Sequence, residues 1–191
     1  MKKVFVHLGG GAGDLDPRSN YRCGFTELIK KKITIEDRAF IIEANPKNIN
    51  KLRECYKNFK NIEILNLAIN RNDTNLCEFF SKYVGEKIDY LSIDLEGIDY
   101  EVMMEIDLLK FQIENISIEH IHLNRSQKKN MVSHLNKNGY SYFGNGYDHK
   151  NFDYLFKKEK IIWNRFLSNF LWLVSHKKVK FFNKFFLKGS E

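Results

Sequence analysis

Short apolar runs alternate with longer amphipathic stretches along most of this chain, the pattern of β-α-β units built around a mainly parallel sheet. Val4-Phe5-Val6-His7-Leu8 reads as a first buried strand, stopped by Gly9-Gly10-Gly11-Ala12-Gly13. A polar loop follows, and a helix begins near Thr26, a residue type that caps helix N-termini. Residues 39–42 predict the second strand, which ends at Glu43 ahead of Asn45-Pro46; residues 47–59 then place Ile49, Leu52, Cys55, Tyr56 and Phe59 on one helical face. Residues 62–67 predict a third strand and Glu78-Phe79-Phe80 a short extra one. Residues 90–94 predict the next, followed beyond Gly97 by a helix whose apolar stripe takes in Val102, Met103, Ile106 and Leu109. Residues 116–119 read as a further strand. Ser126 is the expected cap of a helix carrying Met131, Val132 and Leu135, and Gly139 ends it at the C′ position. Two runs, 140–143 and 152–156, flank Gly144-Asn145-Gly146 as a closing antiparallel pair.

The expected fold class is therefore α/β, a Rossmann-like sheet that is mainly parallel with an antiparallel closing strand, without internal repeats. At 191 residues the chain is sized for one ordinary domain, and the pattern divides it into a body at 1–157 and a helical tail at 158–191. The charge divides at nearly the same place. Residues 1–156 hold 22 basic and 22 acidic side chains, whereas residues 157–188 hold nine basic residues against Glu159 alone. A pI near 9.2 is thus a property of the tail, and a neutral body argues against nucleic acid as the partner. Cys23, Cys55 and Cys77 are few and widely spaced, which excludes a disulfide scaffold or zinc ribbon. With no signal-peptide pattern after Met1-Lys2-Lys3, a cytoplasmic setting is expected.

In the tail, Ile161, Ile162, Trp163, Phe166, Leu167, Phe170 and Leu171 form a broad apolar stripe, and Phe181, Phe182, Phe185 and Phe186 follow among lysines. That composition suits a helix lying at the inner face of an anionic membrane, in a run too short to span it. Packing on the body, or on a second copy of the chain in a homo-oligomer, would bury the same stripe.

Ligands of open α/β sheets sit outside the carboxyl ends of the strands. Four places qualify: the glycine cluster, Glu43, residues 94–97 and residues 119–122. Gly9-x-Gly11-x-Gly13 suits a tight turn where backbone approaches a ligand without interference from Cβ. The dinucleotide fingerprint G-x-G-x-x-G would need glycine where Asp14 stands, which counts against a nicotinamide-dependent oxidoreductase or epimerase. An acid at the tip of the second strand, here Glu43, is placed to accept hydrogen bonds from both hydroxyls of a ribose.

Val6-His7-Leu8-Gly9-Gly10-Gly11-Ala12-Gly13, Ile42-Glu43-Ala44-Asn45-Pro46, Leu65-Asn66-Leu67-Ala68, Ser92-Ile93-Asp94-Leu95-Glu96-Gly97 and Ile118-Glu119-His120, in this order, resemble the FkbM family of S-adenosylmethionine-dependent methyltransferases. Phe152-Asp153-Tyr154-Leu155-Phe156-Lys157 is similar to that family's last strand. The resemblance spans residues 4–157 and implies a class I methyltransferase fold that binds S-adenosylmethionine across the first two strand tips. It implies that Gly9, Gly11 and Gly13 approach the amino-acid end of the cofactor and that Glu43 meets the ribose. Asn66 and Ala68 would lie near the adenine, and Asp94 would face the reacting methyl. The family pattern carries an acid where His7 stands, a position implied to help hold the cofactor's ammonium.

Methyl transfer requires alignment of nucleophile and methyl, and a hydroxyl nucleophile also needs a base. Asp94, Glu96, Glu119, His120 and His122 come from adjacent strand ends; Asp94 leads as base or positioning carboxylate, with Glu119 and His120 next. On an extended strand His120 and His122 share one side and Glu119 takes the other, so not all three can face one pocket; His122 is expected to be a core or surface histidine hydrogen-bonded to backbone. No resident metal is expected, although Asp94, Glu119 and His120 form an oxygen-and-imidazole set of the kind that suits Mg²⁺ or Mn²⁺. The resemblance points to O-methylation of a sugar, glycan or small-molecule hydroxyl. A catalytically degenerate domain that binds cofactor while its tail docks at membrane is the non-enzymatic alternative, and His7 is the residue favouring it.

Overall fold

The computed structural model describes residues 2–15, 23–69, 76–147 and 151–158. Arg18, Asn20, Tyr21 and Arg22 of the loop after the glycines, and the amphipathic tail from residue 159 onward, lie outside the described residues.

Seven strands form one sheet in the order β3-β2-β1-β4-β5-β7-β6. These are β1 Val4–Leu8, β2 Arg38–Glu43, β3 Ile62–Asn66, β4 Lys87–Ile93, β5 Gln112–Glu119, β6 Tyr140–Asn145 and β7 Asp153–Lys158. The first five pair in parallel, and β7 runs antiparallel to both β5 and β6. The expected Rossmann-like class I architecture is the one observed. Its near-continuous apolar strands follow from burial on both faces, as in a parallel sheet covered by helices. Phe5, Val6, Leu8, Phe40, Ile41, Ile42, Leu91 and Ile93 are all buried. The chain reverses its strand order between β1 and β4, and such a switch point opens a crevice at the strands' carboxyl ends.

Helices α1 Gly24–Lys32, α2 Pro46–Cys55, α4 Asp99–Glu105 and α5 Arg125–Lys137 cover the sheet, together with the short α3 Leu76–Phe79. The second helix starts as its sequence dictates: the Asn45 side chain accepts from the Lys47 N–H, and Pro46 takes the first helical turn, where a missing N–H costs nothing. Gly139, at φ 90, closes α5 as expected.

Four local expectations are corrected. Thr26 lies inside α1, whose cap is the Cys23 thiol accepting from the Thr26 N–H at 3.4 Å. Ser126 likewise lies inside α5; Asn124 caps it in a reciprocal box with Gln127, each side chain bonding the other's backbone N–H at 3.0 Å. Phe79 and Phe80 belong to α3 and to the single π-helical turn Phe80–Val84 that follows, not to a strand. Both rings are buried, Phe80 edge-on to Phe111, so a core demand was satisfied with helical rather than extended backbone. The α4 stripe stops at Ile106, and Leu109 is 85% exposed.

Candidate active site

The carboxyl ends of β1, β2, β4 and β5 converge on a cleft of about 740 Å³, a size that suits a nucleotide-sized ligand. Its walls include Gly9, Gly11, Gly13, Glu43, Asp94, Glu96, Glu119 and His122, which the sequence pattern brought forward, and also Cys23, Leu67 and Ile69.

The glycine loop is pinned to its neighbours through backbone. Gly9 and Gly10 both donate to the Ile42 carbonyl, at 3.0 and 2.9 Å, and Asp94 N–H donates to the Leu8 carbonyl at 3.0 Å. Gly9 and Gly11 serve different ends. A Cβ on Gly9 would stand 1.6 Å from the Asp94 carbonyl oxygen, so glycine here lets the loops after β1 and β4 touch. A Cβ on Gly11 would meet nothing within 4 Å, although its φ of 54 is also left-handed; this glycine leaves backbone bare toward the cleft.

Glu43 ties the two loops together. Its Oε2 accepts from the Gly11 N–H and its Oε1 from the Asn45 N–H, both at 2.7 Å, and the residue is buried. An ionised carboxylate has about four acceptor sites, so two backbone bonds leave capacity for ligand hydroxyls. Asn66 supports the same corner from β3: its amide donates to the Glu43 and Ala44 carbonyls at 2.9 and 3.0 Å. Asn66 and Ala68 do not line the cleft; the intervening Leu67 and the following Ile69 do, giving that end an apolar wall.

His7 is not a cleft residue. It is 1% exposed within β1, with its ring 4.9 Å from that of Phe25 and its Nδ1 without a hydrogen-bond partner. Burial pushes its imidazole down to about 4. The departure from the family pattern at this position therefore falls in the core and takes the argument for a degenerate site with it. A neutral buried histidine makes stability depend on pH. Above 6.5 folded and unfolded chains are both neutral here; as pH falls from 6.5 toward 4, the unfolded chain gains a proton that the folded one refuses, and stability drops by about 3 kcal/mol. His7→Leu is expected to lose less stability than the native protein between pH 7 and pH 4, by about that amount in denaturant titrations. Parallel pH curves for the two proteins would refute it.

Loop 94–97 is held by a residue that periodicity did not single out. Buried Asp99, at the start of α4, accepts from the Leu95 N–H at 2.7 Å and the Gly97 N–H at 3.0 Å. Its burial raises its pKa, against the lowering effect of those bonds. The turn it fixes leaves Glu96 at φ 51, a conformation that a glutamate adopts only when its surroundings hold it there.

The β5 tip departs from the expected side-chain arrangement. The strand ends at Glu119, so strict alternation ends with it: residues 121 and 122 turn, and His122 swings to the cleft on the same side as Glu119. His122 Nε2 lies 3.6 Å from Glu119 Oε2 and 3.5 Å from Glu96 Oε2. His120, expected in the site, does not line the cleft; its ring stacks on Tyr154 with centroids 3.8 Å apart. Glu119 is 7% exposed, and burial pushes its pKa up to about 8, aided by the negative charges of Asp94, Asp99, Glu96 and Asp153. The Cys23 thiol is pushed up to about 11, again by burial, and so stays protonated at neutral pH.

Compared with known proteins, residues 68–142 match the family model described as the methyltransferase FkbM domain. No curated protein matches the sequence. Solved structures of similar fold include the Methanococcus jannaschii fibrillarin pre-rRNA processing protein (14% identity, TM-score 0.54), covering 83% of this chain and 67% of that one. The human methyltransferase 10 domain containing protein is similar over 84% of this chain and 73% of its own (12% identity, TM-score 0.53). Aeropyrum pernix fibrillarin, crystallised with natively bound S-adenosyl-L-methionine, is similar over 82% and 65% (13% identity, TM-score 0.50). At these identities the likeness is one of fold, that of class I methyltransferases.

Proposed function

We propose that this chain, which carries an FkbM methyltransferase domain over residues 68–142 on a class I methyltransferase sheet, transfers a methyl group from S-adenosylmethionine to an oxygen of a sugar or small-molecule acceptor. The observation that carries the reading is the meeting, at one cleft, of bare backbone at Gly11, the doubly supported Glu43 carboxylate and Asp94. The residues suit the cofactor. Glu43 keeps acceptor capacity for the two ribose hydroxyls, Leu67 and Ile69 offer apolar surface to a purine, and the glycine loop leaves room for the amino-acid end.

The cofactor supplies an electrophilic methyl on a sulfonium. The chain's own task is then to hold the acceptor oxygen in line and to take its proton. Asp94, at the tip of β4 in the middle of the cleft, lies between the donor wall and the β5 acids. Asp94 would take the proton of the acceptor hydroxyl as its oxygen receives the methyl that the cofactor supplies. A phosphate-rich acceptor fits poorly, because Asp94 and Glu96 line this end of the cleft. A cytoplasmic enzyme held at the inner membrane face by its basic aromatic tail would meet lipid-linked acceptors. The support for that is the tail's composition; among the described residues no helix is long and apolar enough to cross a membrane.

Calorimetric titration with S-adenosylmethionine tests the donor half of the reading. One-to-one binding is expected, weakened in Glu43→Ala by about 1–3 kcal/mol, the loss of a buried hydrogen-bonding carboxylate. Absence of binding by folded native protein would overturn it.

A further inference from the structure

We infer that Glu96, Glu119 and His122 form a divalent-cation site at the acceptor end of the cleft. The three come from two adjacent strand ends. Glu96 follows β4, Glu119 ends β5, and His122 returns to it from the next turn. One donor atom from each lies within 4.8 Å of the others. Around one octahedral ion with bonds of about 2.1 Å, donor atoms stand between about 3.0 and 4.2 Å apart, for cis and trans pairs. The separations of 3.5 and 3.6 Å from His122 Nε2 to the two carboxylates exceed the cis value by about half an ångström, a gap that small rotations of the exposed Glu96 and His122 side chains would close, and are too long for hydrogen bonds.

Three further observations point to a ligand here. Glu119 has a side chain only 9% exposed, and its Oε2, the atom aimed at His122, has no hydrogen-bond partner. Buried carboxylate oxygens are rarely left so, because desolvation without compensation is costly. Glu96 is held in left-handed backbone, and strain of that sort collects at ligand clamps. Asp94, Asp99 and Asp153 also face Glu119, which adds negative charge that a cation would relieve.

Two carboxylates and one imidazole suit Mn²⁺ better than Mg²⁺, and three protein donors leave positions open on the ion. A ligand hydroxyl taken up at an open position would be polarised there and would give up its proton more readily. The inference rests on the methyltransferase reading for its acceptor class, a hydroxyl-bearing molecule, but the ion should bind without donor or acceptor.

The test titrates Mn²⁺ alone into the full-length protein, followed by electron paramagnetic resonance, with S-adenosylmethionine binding measured calorimetrically on the same samples. One bound Mn²⁺ with a directly coordinated nitrogen is expected. Glu119→Gln and His122→Ala should each weaken Mn²⁺ at least tenfold, the second also erasing the nitrogen coupling. Glu96→Gln, at an exposed site where folding is not at stake, should weaken it as well. Failure of Mn²⁺ to saturate the native protein at millimolar concentration, or a nitrogen coupling that survives His122→Ala, overturns the site. Unchanged cofactor affinity in those samples would leave the donor reading standing on its own.

Discussion

Gly9→Ala is expected to destabilise the protein by about 4 kcal/mol, enough to unfold many domains, whereas Gly11→Ala two residues on should cost only about 1 kcal/mol. Both residues have left-handed φ, so backbone preference alone would penalise them alike. The difference comes from what the new methyl would meet. At residue 9 it would stand 1.6 Å from the Asp94 carbonyl oxygen, and relief requires the loops after β1 and β4 to part. At residue 11 it would enter open space in the cleft, so the loss should appear in cofactor affinity instead. Urea titration of the two variants, paired with calorimetry on Gly11→Ala, separates the effects. Equal denaturation midpoints for the two would show that the contact with Asp94 does not set the demand for glycine.

Asp94→Asn should lower kcat by about a hundred- to ten-thousandfold, the range for removing a positioned proton acceptor. The amide keeps the shape of the side chain and the backbone contact with Gly9, so affinity for S-adenosylmethionine should stay within a few-fold of native. With an acceptor that the native enzyme turns over, a loss confined to KM would instead make Asp94 a binding group. A rate within tenfold of native would remove it from the chemistry altogether.

The sheet is readable because buried parallel strands announce themselves as short clusters of apolar residues, and β1, β2, β4 and β5 all carry such clusters beside glycine or an acid at the tip. The same logic places Gly9, Gly11, Gly13, Glu43, Asp94 and Glu119 at one opening, and all six line the cleft. It misassigned Phe79-Phe80 because a brief apolar run carries no period of its own, and packing against Phe111 is satisfied by either backbone. Alternation also fails beyond the last residue of a strand. Alternation continued past β5 would put His120 and His122 on one side, whereas the chain turns after Glu119, stacking His120 on Tyr154 and bringing His122 beside Glu119. Asp99 left a faint trace, an acid shortly after Gly97 at a helix start, but its two bonds to loop N–H groups depend on that loop's path. His7 shows the reverse limit: position along β1 says little about whether the ring reaches the ligand or the core.

The insertion of β7 between β5 and β6 governs when this protein can finish folding during synthesis. Until residues 153–158 leave the ribosome, β5 presents a bare flank and β6 has no partner, since neither pairs with the other. Half-made chains would therefore carry an unpaired, adhesive rim on β5, the kind of edge that chaperones cover. Closure arrives with a single late segment, and the cleft wall carrying Glu119 gains its last backbone partner only then.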